Sequence, residues 1–270
     1  MNSKLSLKVN YIYNFISQIL TLIIPMVTTP YIARVLRENG NGQYSFSFSI
    51  ITYFILFANL GFNTYGQREI SKYRNDPMKR TKVLAEISIV RSITTFIAIL
   101  ILFIALFFGI FGEKYTLIIV ALSIQLIAVP FDINFYYQGL ENFRAIAIRS
   151  IILKIMGLTG VFLFVKTEND TWIYALCLSI SVMLSNLVLW PSVLRDCTKI
   201  TFRDVELKKH IKPAIVIFLP ALAVTIYSVL DKTMIGFLAV SPDYENGCYE
   251  QAYKLNSIAF DNSYFSYFFF

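Results

Sequence analysis

Glu86, Arg91, Asp132, Asp231 and Lys232 are ionisable residues set inside stretches otherwise too apolar for loops. A charge held at membrane depth is costly, so one that is present usually has a partner or a task. Glu86 and Arg91 open the same apolar stretch, and Glu86 fits an interfacial position. Arg91 lies about 10 Å past Leu84 at the standard helical rise. From there it either faces a polar interior or snorkels back to the headgroups. Asp132, followed by Asn134, Tyr136 and Tyr137, reads as a carboxylate satisfied by a neighbouring helix or by the interface. Asp231 and Lys232 are consecutive, so on a helix they point about 100° apart and cannot share one partner. One of them can line a polar cavity while the other pairs across helices.

Enzymatic chemistry finds little footing. The single histidine, His210, sits in "ELKKHIK", a setting that predicts a solvated residue in a basic loop, and no Ser/His/Asp set can be assembled without it. There is no P-loop and no glycine-rich dinucleotide turn; "YQGLENFRAIAIR" has one glycine and no lysine–serine pair. Cys177, Cys197 and Cys248 are odd in number and widely spaced, which makes neither a disulfide framework nor a zinc site. They read as small residues in or beside membrane helices. We therefore expect no catalytic residue, no metal site and no cofactor.

The elements that position these charges follow from composition. Of 270 residues, 56% are hydrophobic and 15% charged, with 24 Phe and 17 Tyr. A soluble chain of this length carries about a quarter charged residues, so the excess apolar surface needs a bilayer. The net charge of +7 is spread in short blocks between apolar segments, not along one face, which argues against nucleic acid. About twenty residues at 1.5 Å each cross the hydrocarbon core. Stretches of that kind are Tyr11–Ala33, Tyr44–Gly66, Leu84–Phe111, Leu117–Gln138, Ala145–Val165, Thr171–Trp190 and Ala214–Val240. The expected fold is an all-α integral membrane protein with about seven transmembrane helices. Lys4 and Lys8 precede a run without charge as far as Arg34, too long for a signal-peptide core, so this helix is expected to be retained.

Lysine and arginine set the orientation. With the N-terminus in the cytoplasm, the inner connections hold Lys4, Lys8, the Arg68–Lys82 block, Arg144, Arg149 and Lys154. They also hold Arg195, Lys199, Arg203, Lys208, Lys209 and Lys212. The outer side has only Arg34, Arg37, Lys114 and Lys166, with Lys254 in the tail. "GQREISKYRN" thus reads as a cytoplasmic loop. The outer connections "RENGNGQ", "GEKY" and "KTEND" are too short for a folded domain. Pro25, Pro30, Pro130 and Pro220 fall inside predicted spans, where each can kink its helix.

Three stretches carry a family resemblance: "RENGNGQYSFSFSIITYFILFANLGFNTYGQREIS", "FYYQGLENFRAIAIRSIILKI" and "LDKTMIGFL". In this order and spacing they resemble the bacterial polysaccharide flippases. These are the oligosaccharide-lipid exporters of the multidrug/oligosaccharidyl-lipid/polysaccharide superfamily. The resemblance implies a two-lobe helical transporter with a central polar cavity. Residues 1–212 would form the first lobe of six helices, and residues 213–270 the start of the second. It also implies a cargo of undecaprenyl-pyrophosphate-linked oligosaccharide, carried across the cytoplasmic membrane for capsule or O-antigen. Arg91 and Lys232 would receive its anionic group, and Asp231 would serve ion coupling or charge balance. Gly42, Gly61, Gly66 and Gly139 are expected at helix ends and close contacts. The family carries twelve to fourteen helices, so this chain is expected to be a fragment or an interrupted frame. Its expected partners are the bilayer, the lipid-linked glycan and proteins of polysaccharide assembly. Two rivals share the helices and cavity: a drug/cation antiporter and a peptidoglycan-precursor flippase. A membrane polymerase or ligase fits worse, because it would present a large outer loop; an inert remnant is the last alternative.

Overall fold

The computed structural model describes the backbone of residues 3–197 and 206–260, and side chains for residue 23 and for residues 26–197 and 206–256. Lys199, Arg203 and the aromatic tail fall outside the described residues, as do the side chains of Lys4 and Lys8. Among the described residues all regular structure is helical. The helices are α1 (Ser3–Asn59), α2 (Phe62–Lys72), α3 (Pro77–Phe107), α4 (Glu113–Ile127), α5 (Asn134–Gly139), α6 (Phe143–Phe164), α7 (Thr171–Leu187), α8 (Trp190–Asp196), α9 (Lys208–Leu238) and α10 (Pro242–Phe260). Short 3-10 turns at Val129–Phe131 and Glu168–Asp170 join α4 to α5 and α6 to α7.

Six stretches among the described residues are long and apolar enough to cross a membrane: Met26–Lys72, Pro77–Phe107, Glu113–Gly139, Phe143–Phe164, Glu168–Asp196 and Lys208–Leu238. The first predicted span, Tyr11–Ala33, lies mostly where side chains are not described. The arrangement is that of a membrane protein because the usual sorting is inverted. Helix α3 turns Phe96, Leu100, Ile101, Phe103 and Ile104 outward and buries Thr95, Ala98, Leu102 and Ala105. In water such an exposed apolar face would drive aggregation. In lipid it is solvated, and small inward residues let the helices approach.

Two predicted loops are helical. The "RENGNG" connection is a one-residue break in α1, where Arg37 takes φ 52° and ψ −165°. The Asn41 amide donates to the Ile32 and Arg37 carbonyls at 3.3 and 2.6 Å, covering acceptors that the break releases. Likewise "GQREIS" belongs to α2, not to a loop. Its apolar residues Phe62, Tyr65 and Ile70 repeat at helical spacing and are buried, whereas Arg68 and Lys72 stay exposed. The chain enters α2 through Leu60 and Gly61, at φ 43° and 74°. The actual turn between α2 and α3 is Tyr73–Asp76, with the Asp76 carboxylate capping α3 by accepting the Lys79 N–H. Of the prolines, Pro130 ends a helix, whereas α9 runs unbroken through Pro213 and Pro220.

Two buried clusters divide the molecule along its length. One joins α1, α3, α4 and α7 through Phe46, Ile51, Leu102, Ile119, Leu122 and Ala175. The other joins α2, α3, α5, α8 and α9 through Phe62, Ile70, Ile87, Phe135, Val193 and Ala214. The second lies at the end carrying Arg68, Lys72, Arg74, Lys79, Arg144, Arg195 and Lys208. The motif glycines sit at close contacts. A Cβ on Gly42 would overlap the Asp243 carbonyl and one on Gly247 the Glu38 carbonyl, so α10 and α1 touch backbone to backbone. Gly61 faces Ala214, Gly66 faces Phe135 and Gly139 faces Ile70.

Candidate functional site

Among the described residues, the buried ionisable side chains gather at three junctions, and a polar cleft lies between four helices. At the first junction α4 ends at Ile127, and the Val129–Phe131 turn that follows presents carbonyls with room for further donors. Side chains from three other helices supply them. Asn186 donates to the Ala128 carbonyl at 2.9 Å, Trp190 to Phe131 at 2.9 Å and Arg91 to Asp132 at 2.5 Å. Arg91 is 1% exposed, so it neither snorkels nor meets lipid. Its second Nη lies 3.8 Å from the Asp132 carboxylate, and its guanidinium stands 5.8 Å from the centre of the Phe135 ring. Asp132 is satisfied by its neighbours: Asn63 donates at 3.4 Å and the Asn134 N–H at 3.0 Å. Arg149 reaches the same knot through the Asn134 amide oxygen at 2.8 Å.

The second junction lies near the other end of α9. Lys232 is 8% exposed and its ammonium is 2.6 Å from Glu250 on α10. Ser45 on α1 donates to the same Glu250 oxygen at 3.0 Å, and Lys254 lies 3.2 Å from the other. The Lys232 ammonium also stands over Tyr253, 4.7 Å from the ring centre. Asp231 is exposed and accepts the Tyr249 hydroxyl at 2.6 Å. The consecutive pair therefore takes two partners, as its angular spacing requires, both on α10. The next residue, Thr233, hydrogen-bonds Ser49 at 3.1 Å and Tyr53 at 3.3 Å, tying α9 to α1.

The third junction corrects the reading of His210. His210 is not a solvated loop residue but is enclosed together with Glu86. Both are 0% exposed, and His210 Nε2 meets Glu86 at 2.6 Å. The other ring nitrogen is 2.7 Å from the Tyr65 hydroxyl. The second Glu86 oxygen accepts the Glu206 N–H at 2.7 Å, with Lys209 at 3.5 Å and Lys82 at 3.8 Å around the carboxylate. "ELKKHIK" is thus the first turn of α9, packed on α3 and α2. The signal available in the sequence was spacing: His210 is four residues before Ala214 and eight before Phe218, all buried on one face of α9.

The cleft lies at the opposite end, where α1, α4, α7 and α10 converge. It measures about 420 Å³ and is lined by polar groups from all four helices. Asp243, the first acidic residue of α10, accepts from the Tyr115 hydroxyl at 2.5 Å, Lys114 at 2.9 Å and Gln43 at 3.1 Å.

A bundle with lipid-facing apolar surfaces and charges paired at its interior junctions defines a multi-spanning membrane protein. Residues 7–266 match the family described as polysaccharide biosynthesis protein, and the chain belongs to that family. Two curated relatives are similar over most of this chain. One from Escherichia coli (strain K12) is 23% identical over 241 residues, covering 88% of this chain and 58% of its own. One from Shigella dysenteriae is 25% identical over 261 residues, covering 94% of this chain and 63% of its own. Each bears the name "Putative O-antigen transporter". The chain spans less than two thirds of the length of these relatives. No solved structure matches it.

Proposed function

We propose that this chain forms part of a flippase that carries undecaprenyl-pyrophosphate-linked oligosaccharide repeat units across the cytoplasmic membrane of a bacterium. The observation that carries this reading is the family match over residues 7–266, together with the transporter names of the relatives. In this reading the basic end and the N-terminus lie in the cytoplasm, residues 1–212 build the first lobe, and α9 and α10 begin the second. Arg91 and Lys232 are the receptors for the cargo's diphosphate. Each now faces a carboxylate, Asp132 or Glu250, at 3.8 and 2.6 Å. An incoming diphosphate competes with those carboxylates for the same cations, so binding and helix rearrangement are one event. Asp231 keeps the local charge balanced when Lys232 changes partner.

The test is genetic and chemical together. In the host lacking this gene, lipid-linked oligosaccharide should accumulate and surface polysaccharide should disappear, both reversed by the restored gene. An unchanged lipid-linked pool with altered drug resistance would instead make the protein an antiporter.

A further inference from the structure

We propose that the cleft between α1, α4, α7 and α10 is a glycan-binding site that takes a sugar ring of the cargo at the end opposite the basic blocks. This rests on the transport reading above and adds to it a place for the sugar, distinct from the cationic receptors. A volume of about 420 Å³ falls in the range of small-molecule sites. Such sites are usually mostly apolar, and this one is not. Its walls carry Asn39, Gln43, Glu168, Asn169 and Asp243, with Trp172 beside them.

That mixture fits one class of ligand. Amides and carboxylates have planar ends with two donor or acceptor positions, which suit two adjacent hydroxyls. The indole of Trp172, 37% exposed, offers a flat apolar face to the C–H side of a pyranose. A lipid chain or an apolar drug would leave the polar walls unpaired, which costs binding energy. A diphosphate would meet two carboxylates, and the nearby Lys114 is already committed to Asp243 at 2.9 Å. Among the described residues the exposed Asn39 and Asn169 amides have no protein partner, so they are free to bind.

The walls are also held in place before any ligand arrives, which limits the entropy lost on binding. Asp170 accepts the Lys166 and Thr167 N–H groups at 2.9 and 2.7 Å, fixing the turn that carries Glu168 and Asn169. Thr171 packs against Gly40, where a Cβ would come within 2.8 Å of its hydroxyl. Asp243 is set by its three bonds to α1 and α4. Because Asp243 belongs to α10 and the other walls to earlier helices, a bound sugar bridges the two parts of the chain.

The chain has two tryptophans, Trp172 and Trp190, so Trp190→Phe leaves Trp172 as the sole reporter. The probe is the repeat-unit oligosaccharide released by mild acid from the host's surface polysaccharide, free of lipid and phosphate. Titrated onto the whole chain in lipid nanodiscs, it should shift Trp172 emission saturably. Calorimetry on the unaltered chain should give the same affinity, which covers a Trp190→Phe protein that does not fold. Trp172→Ala should weaken binding about tenfold or more, and Asn169→Ala or Glu168→Gln about threefold. Trp172→Phe should retain most of it. Inorganic pyrophosphate should not compete. Absence of saturable binding to the unaltered chain, equal affinity in Trp172→Ala, or competition by pyrophosphate overturns the proposal. A strain lacking the gene that accumulates lipid-linked oligosaccharide while its protein binds no sugar would sink the cleft alone and leave the transport reading standing.

Discussion

The two ends of the molecule use the same kinds of residue in opposite ways. At the basic end Glu86, His210 and Tyr65 are enclosed, each polar atom bonded to a neighbour, and α9 is tied by them to α3 and α2. At the other end Asn39, Glu168 and Asn169 surround an open cleft, beside an Asp243 already bonded to α1 and α4. A buried charge without its partner is strongly unfavourable, so an enclosed pair acts as a fastening. A half-exposed polar group already exchanges with water, so it can trade partners for a ligand at little cost. Arg91 and Lys232 stand between these limits. They are enclosed, but each faces a carboxylate that an anion could replace.

The largest contrast concerns which side each end faces. With the three native cysteines replaced, Ser71→Cys should resist a membrane-impermeant thiol reagent added outside intact cells. Asn169→Cys, in the opposite end's turn, should react fully. The reverse pattern would invert the molecule and place the cleft in the cytoplasm.

The next contrast is energetic. Glu86→Ala removes the acceptor for His210 and for the Glu206 N–H. Breaking such a buried pair costs about 3–5 kcal/mol. The thermal unfolding midpoint in detergent should fall further than for any cleft variant, and Glu86→Gln, which still hydrogen-bonds, should fall less. A wild-type midpoint for Glu86→Ala would remove the distinction between fastened and open ends. For the intermediate pair, Arg91→Ala and Lys232→Ala should cut polysaccharide export severalfold at normal protein level. Normal surface polysaccharide in both would take these residues out of the transport site.

The smallest effect belongs to the Asp76 cap of α3. Its carboxylate is held below the usual range because it accepts the Lys79 backbone N–H. A depressed folded-state value means stability that is complete at neutral pH and lost as pH falls through that value. Asp76→Asn should therefore unfold slightly earlier than the parent at pH 7, with the gap closing below about pH 4. A constant gap across that range would show that the charge plays no part.

Much of the scaffold was legible in the residues. Hydropathy set the span at Ala145–Val165 against an observed α6 of Phe143–Phe164, and Ala214–Val240 against α9 of Lys208–Leu238. Window hydropathy reports transfer to lipid, and for these helices lipid is the main contact. It reports nothing about contacts between segments far apart in sequence. "RENGNG" and "GQREIS" look like loops because they are polar, but Gly40 and Gly42 serve close packing and Tyr65 faces His210 145 residues on. The burial of His210 depends on α9 lying against α3. The angular argument for Asp231 and Lys232 needed no distant information: the two take separate partners, Tyr249 and Glu250, although both lie on α10 and neither lines the cleft. The break after α4 beside Pro130 follows equally from a missing N–H, whereas α9 stays helical through Pro220, which is exposed on its surface.

The central claim is that the protein moves a lipid-linked glycan, and the most direct measurement follows the glycan itself. The complete protein containing this sequence is reconstituted in liposomes whose inner and outer leaflets both hold the host's undecaprenyl-pyrophosphate-linked repeat unit. A glycosidase added outside then digests whatever reaches the outer leaflet. The account predicts that digestion stops near half of the glycan in protein-free liposomes, proceeds nearly to completion with the protein, and slows again with Lys232→Ala. Digestion that stops at the same fraction with and without the protein would contradict it.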